Sequence, residues 1–282
     1  MIRVYFKKIE LCGRVCYKSE DKITEDSAIN FVKKICVNNH GSVLEHFNFT
    51  FKVEKKYYDI LKDASLAFFE MSNISYPIVS FNLRAFLNYY NADHNLKIIR
   101  PFVKVLSNLY PELFIKIEDD EFFPELITDY SSLTMEERKI HQRITIKLIT
   151  DRGVTHELVR HRLASYSQES TRYCNYGKDK FGNEITVIKP VDISETNYEI
   201  WSQAMLEAEK AYFKMIENGA SPQLARSVLP NSLKTEIVVT CSIQEWELIF
   251  LLRCAPQAHP DIRYIMNKVK AYFIEKGYIN EN

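Results

Sequence analysis

Apolar positions along the chain fall into two periods, and each period predicts a different element. From Thr24 to Asn39, the residues Ala28, Ile29, Phe31, Val32, Ile35 and Cys36 recur at helical spacing, so an amphipathic helix is expected there. HGSVLEH (His40 to His46) follows. FNFTFKV (Phe47 to Val53) then alternates and is rich in aromatic and β-branched residues, which predicts a strand. ITIKLIT (Ile144 to Thr150) predicts a second strand, broken by Asp151-Arg152-Gly153, with a helix opening directly behind it over Val154 to His161. Trp201, Met205, Ala208, Tyr212 and Met215 step by four and three residues, so a long helix is expected over Glu199 to Ile216, ended by Asn218-Gly219. Ser221-Pro222 pairs a capping residue with proline at the first helical position and predicts another start. Lys234 to Ser242 contains Ile-Val-Val-Thr and predicts a third strand, and helices over Gln244 to Arg253 and Pro260 to Lys276 close the chain.

Strands mixed with helices in this way give an α+β fold class, a small sheet flanked by long helices. The stretch 55–139 reads differently. It holds the acidic run Glu118 to Glu121 and many aromatics but no strong punctuation, and is expected to be a mostly helical insertion within one domain covering 1–282.

Charge narrows the functional classes. Lys plus Arg is 37 and Asp plus Glu is 37, so the chain lacks the basic excess of a general polyanion binder. A small anionic ligand stays open, because a few converging arginines can hide in a neutral total. The apolar run Leu248 to Leu252 is far shorter than the ~20 residues of a membrane helix. MIRVYFKKIE lacks the apolar core and cleavage site of a signal peptide. A soluble, cytoplasmic protein with no membrane partner is expected. The six cysteines are scattered, with only Cys12 and Cys16 close, and read as reduced thiols.

Candidate chemistry concentrates in VTHELVRHRLASYSQESTRYCNY, Val154 to Tyr176. Arg160, His161, Arg162 and Arg172 stand among Ser165, Ser167, Gln168, Ser170 and Thr171. Guanidiniums offer fixed fork geometry and permanent charge, suited to phosphates and to planar heterocycles with adjacent acceptors. Ser170 has the chemistry of a nucleophile, but no dyad is visible around it. His40, His46, His156 and His161 are not at metal-ligand spacing, and no metal is expected.

The spacing Arg160-His161-Arg162 through Ser170, RHR-x7-S, resembles the signature of the flavin-dependent thymidylate synthases. Three further segments resemble that family in order: His40 to His46 before a strand, Ala225-Arg226-Ser227-Val228-Leu229-Pro230, and Leu252-Arg253 followed by His259-Pro260-Asp261-Ile262-Arg263. These four segments are spread across about 200 of the 282 residues.

The resemblance implies methylation of dUMP at carbon 5, with 5,10-methylenetetrahydrofolate as carbon donor, reduced FAD as hydride donor and NADPH as reductant, in a homotetramer with shared active sites. It assigns dUMP to Glu157, Leu158, Val159, Arg160, Gln168, Glu169, Ser170, Thr171, Arg172, Arg226 and Arg253. Arg253 would stabilise charge on the uracil ring, and Ser170 would orient the substrate. FAD would meet His40, Ser42, Arg160, His161, Arg162, Gln168, Ser242 and Gln244. The chain departs from the family where an Asn-x-Arg and a later Asn are usual. Ser242, Gln244 and Leu248 stand there, and Gln257 replaces a common histidine, so flavin retention is expected to be weaker than usual.

Two other readings stay open on the residues. A single-strand nucleic-acid module would use the same arginines with Tyr166 and Tyr173 as stacking platforms. A nucleotide-binding regulator would have lost its flavin through Ser242, Gln244 and Leu248.

Overall fold

The computed structural model describes residues 2–37, 41–93, 97–118, 120–178 and 181–281. They divide into two compact units. The first comprises Met1–Gly13, Lys22–Thr145 and Thr240–Gln244, and the second Arg14–Asp21, Ile146–Val239 and Glu245–Asn282.

Helix α1 (Ile2–Tyr17) starts in the first unit and ends in the second. The first unit continues with α2 (Ser27–Val37), a 3₁₀ stretch over Gly41–His46 and strand β1 (Asn48–Lys52). Helix α3 (Lys55–Ala64), strands β2 (Phe69–Asn73) and β3 (Pro77–Asn82), and helices α4 (Leu83–Ala92) and α5 (Arg100–Leu109) follow. A two-residue strand β4 (Glu125–Leu126) and helix α6 (Met135–His141) complete it. The sheet runs β2-β3-β1-β4, with β3 antiparallel to both β1 and β2. Its register sets Phe81 opposite Phe49 on one side and Phe69 on the other, with ring centroids 5.7 and 4.5 Å apart. Such cross-strand aromatic pairs are the unit of sheet stabilisation. Phe86 and Phe102 seal this aromatic core, and both are fully buried.

Buried polar groups in the first unit are matched. The enclosed His141 ring meets Ser80 Oγ at Nδ1 (2.7 Å) and Ser72 Oγ at Nε2 (2.8 Å). His46 Nδ1 lies 2.7 Å from Thr240 Oγ1, which meets Thr145 Oγ1 at 2.7 Å. A capping box between Thr134 and Glu137 starts α6.

The second unit is organised on strands β5 (Arg143–Asp151), β6 (Ser165–Gln168) and β7 (Lys234–Ser242), in the order β5-β7-β6. Because β7 is central, it is buried without interruption from Thr235 to Cys241. Helix α7 (Arg152–Leu158) follows β5 with no intervening residue. Helices α8 (Glu195–Glu217), α9 (Pro222–Ala225), α10 (Ile243–Arg253) and α11 (Pro260–Glu275) complete the chain. One core gathers Cys174, Tyr176, Tyr212, Ala225 and Leu233, and another stacks Trp246 on Phe250 with the Phe273 ring tilted against it. No described helix is long and apolar enough to cross a membrane.

The α+β class is as the sequence predicts, and the elements expected at 24–39, 47–53, 144–150, 199–216, 234–242, 244–253 and 260–276 are present within a few residues. Other features differ. The stretch 55–139 carries four helices but also β2, β3 and β4. Strand β3 is buried on both faces from Ile78 to Phe81, so it lacks the alternation that marks a half-exposed strand. Ser221-Pro222 does open a helix, but it runs only four residues before a 3₁₀ turn over Arg226–Val228. Leu229 then turns extended, as a residue preceding proline must.

Candidate active site

The segment rich in arginine is positioned by the junction of β5 and α7. Asp151 caps α7, its side chain accepting from Val154 N at 2.8 Å, and Arg152 and Gly153 both donate their backbone N–H to Asn231 C=O. Seven residues later the helix is spent, and Arg160-His161-Arg162 forms the turn beyond its C-terminus. Tyr166 fixes that turn: its hydroxyl lies 2.8 Å from Leu158 C=O and 2.9 Å from His161 C=O and shares its proton between them.

Within this turn the three side chains diverge. His161 is buried, whereas Arg160 and Arg162 are exposed, and no carboxylate among the described residues pairs with either. Arg253, the last residue of α10, reaches the same place. Its Nη1 donates to Glu157 Oε2 at 2.7 Å, its Nη2 to Glu157 C=O at 2.9 Å, and its Nε to His161 Nε2 at 3.1 Å. The contact to Glu157 C=O also caps the end of α7, where a cation is favoured. On the far side of the imidazole, His161 Nδ1 faces Glu245 Oε1 at 3.7 Å. Burial, and then the Arg253 charge, hold the His161 pKa below its ordinary value, so the ring is neutral at physiological pH. Burial pushes the Glu245 carboxyl up.

A second cluster sits along β6 and β7. Gln168 Nε2 donates to Thr155 Oγ1 (3.0 Å) and Thr235 Oγ1 (3.3 Å), which sets the direction of its amide. Glu169 turns inward: Oε1 accepts from the Tyr176 hydroxyl at 3.2 Å, and Oε2 lies 3.6 Å from Lys234 Nζ. Next to it, Glu236 meets Lys18, Lys147 and Lys234. Its burial raises the carboxyl, but hydrogen bonds from these lysines outweigh that and bring it down to about 2. Arg152 is half-buried, and burial followed by the nearby Arg226 charge lowers its pKa. Arg226 itself is exposed on the 3₁₀ turn, and exposed Arg172 lies over the Tyr173 ring.

The structure thus brings Glu157, His161 and Arg253 into direct contact and holds Gln168 on the neighbouring strand. Ser170 Oγ accepts from Arg172 N at 3.4 Å, and its N–H donates to Cys16 C=O, so it shapes the loop; no dyad partner bonds its hydroxyl. Thr171 is buried, and Val159 is exposed at the helix end. Leu158 is fully enclosed and its carbonyl is taken by Tyr166, so its side chain serves packing. Ser42, Ser242 and Gln244 belong to the first unit; Ser42 and Gln244 are exposed. His40 lies outside the described residues. Sequence reading missed Thr155, Arg152 and Glu245 and took Tyr166 only as a stacking platform, because their partners are distant in the chain or lie on backbone atoms.

This is an α+β protein with a guanidinium fork, a neutral histidine and two exposed arginines that no described carboxylate pairs, all around one turn, the donor set of a site for anionic, heterocyclic ligands. A family profile described as thymidylate synthase complementing protein matches residues 5–57 and 119–276, and the chain belongs to that family. Residues 58–118 fall between the two matched stretches.

Individual relatives agree. A flavin-dependent thymidylate synthase of Geobacter sulfurreducens is 38% identical over 112 residues, 40% of this chain and 47% of that protein. One from Pyrococcus abyssi is 32% identical over 161 residues, 56% of this chain and 65% of its own length. One from Sulfurisphaera tokodaii is 40% identical over 118 residues, 42% of this chain and 44% of its own. The chain spans less than two thirds of each of these relatives. Neither the nucleic-acid module nor the flavin-free regulator is favoured by these matches.

Proposed function

We propose that the chain is a flavin-dependent thymidylate synthase that converts dUMP to dTMP in the cytosol, with 5,10-methylenetetrahydrofolate as carbon donor and NADPH as reductant. The observation that carries this reading is the Arg253 fork, held by Glu157 and neutral His161 beside the exposed Arg160 and Arg162. The 282 residues would act as one such domain, with 55–139 as its insertion.

Arg253 supplies fixed positive charge where the uracil ring becomes electron-rich, a donor aimed at developing charge rather than at the ground state. Glu157 accepts from two of its nitrogens and fixes the orientation of the fork. Gln168, oriented by Thr155 and Thr235, presents its amide oxygen to a ligand N–H. Arg172 and Arg226 are exposed and suited to the nucleotide phosphate. Arg160 and Arg162 fit the flavin diphosphate, since no carboxylate among the described residues neutralises them. When bound, the reduced flavin supplies the hydride that completes the methyl group.

Assembly as a homotetramer with shared sites belongs to the same proposal. Only Tyr212 of the 23 residues of α8 is fully buried, and Tyr198, Ile200 and Leu206 are exposed along it. Leu248, Leu251 and Leu252 of α10 are exposed too. Apolar helix faces of this kind fit an interface between copies. Light scattering should report about four times 33.2 kDa. Mixing a Ser42 variant with an Arg253 variant should restore part of the activity.

The deciding experiment incubates FAD-replete protein with dUMP, methylenetetrahydrofolate and NADPH and weighs the nucleotide product. dTMP is expected. A hydroxymethyl product would change the transferred group, and no product at all would end the reading.

A further inference from the structure

We propose that Glu245 is a positioning residue for Arg253, acting through the His161 ring. The inference rests on the reading of Arg253 as the cation that meets the pyrimidine. Glu245 and Arg253 lie on the same helix, α10, eight residues apart, a spacing that returns to one face after about two turns. The His161 imidazole is inserted between them. Its Nε2 takes the Nε–H of Arg253 at 3.1 Å, and its Nδ1 lies 3.7 Å from Glu245 Oε1.

The chemistry of the pair dictates the tautomer. Arginine has donors only, so Nε2 must present its lone pair, and a neutral imidazole then carries its proton on Nδ1. That proton points at the buried Glu245 carboxyl, whose side chain is 8% exposed, as the His161 side chain is at 5%. At 3.7 Å the contact is longer than a direct hydrogen bond and acts as electrostatic bias. In the other tautomer two N–H groups would confront each other across 3.1 Å, and Arg253 would lose one of the three contacts that fix its plane. Glu245 disfavours that state without touching a ligand. It plays the part that outer carboxylates play for histidines at many sites, setting which ring nitrogen is protonated.

The test needs no bound ligand for its first readout. In protein labelled with ¹⁵N in the histidine rings, long-range proton–nitrogen correlation at neutral pH assigns the His161 tautomer, with His161→Gln identifying the signal. Wild type should carry the proton on Nδ1. Glu245→Gln, whose amide oxygen still accepts, should keep it there, and Glu245→Ala should raise the Nε2–H fraction at least tenfold. In turnover, Glu245→Ala should lower kcat about tenfold with KM for dUMP within twofold, and Glu245→Gln should recover most of the loss. A wild-type ring protonated on Nε2 would overturn the proposal even if the alanine variant failed to fold. So would a Glu245→Ala protein with unchanged tautomer and kcat. If the tautomer behaves as stated but wild type makes no dTMP, the positioning relationship stands and the thymidylate reading falls.

Discussion

The Arg253 guanidinium closes on Glu157 twice, through Nη1 to the carboxylate at 2.7 Å and through Nη2 to the backbone carbonyl at 2.9 Å. One side chain thereby joins the end of α10 to the end of α7, 96 residues away in sequence. The fork's plane is set before any ligand arrives, which is the condition for electrostatic catalysis without reorganisation.

Arg253→Ala should therefore reduce turnover by two or more orders of magnitude, the usual effect of losing one such donor. Stability should change by less than about 1 kcal/mol, because the ion pair is partly exposed and screened. Arg253→Lys should recover under a tenth of the activity, since an ammonium cannot satisfy Glu157 Oε2, Glu157 C=O and His161 Nε2 in one plane. Steady-state rates and denaturation curves on the same preparations separate the two effects. Full activity in Arg253→Ala would remove the residue from the mechanism.

FAD should bind saturably, and purified protein should contain some apoprotein. Arg160→Ala and Arg162→Ala should each weaken binding about tenfold, as expected for one charge-assisted hydrogen bond of ~1.5 kcal/mol or more. Gln244→Arg should tighten it. Flavin fluorescence quenching on titration measures all four proteins, and absence of saturation in wild type would contradict the flavin assignment.

Acid should destabilise the fold from near neutrality. Burial, with the Lys8 charge, holds His46 at about 3, and burial holds His141 at about 4. Unfolded histidines titrate near ~6.5. As pH falls below that value the unfolded chain takes up protons that the folded chain refuses, so stability declines until the folded pKa values are reached. Each pH unit in this window is worth up to ~1.4 kcal/mol per group. Glu236, held at about 2, adds its own loss as pH falls from the ordinary carboxylate range. Urea midpoints at pH 7, 5.5 and 4.5 should drop steadily, and His141→Gln should flatten the dependence. A midpoint constant across this range would refute the assignment of both histidines as neutral.

Gly13→Ala should destabilise despite raising helix propensity. A Cβ there would stand 2.6 Å from Phe31 Cζ and 3.1 Å from Val43 Cγ1. Propensity gains ~1 kcal/mol, whereas overpacking costs about 1–3 kcal/mol, so the clash wins. Shortening the opposing ring should relieve it: Gly13→Ala with Phe31→Leu should be less destabilised than the two single effects summed, by a coupling of about 0.5 kcal/mol or more. Strict additivity in melting experiments would show that the ring simply moves aside.

Local pattern alone was enough for β1, β5, β7, α8, α10 and α11, because a residue's period of burial is written into neighbouring positions. The cluster Arg160-His161-Arg162 was also legible, since its residue types share one turn. Other features needed the folded chain. Strand β3 is buried on both faces and carries no alternation, β2 (Phe-Glu-Met-Ser-Asn) alternates over only two apolar residues, and β6 (Ser-Tyr-Ser-Gln) is polar and four residues long, extended only because it lies beside β7. Glu169 looked like a ligand contact within its motif, yet its side chain turns inward to Tyr176 and Lys234. Glu245 gave no signal at all. Its meaning comes from His161 and Arg253, which packing brings together from positions 92 residues apart, and no periodicity of 2 or 3.6 residues encodes a contact at that range.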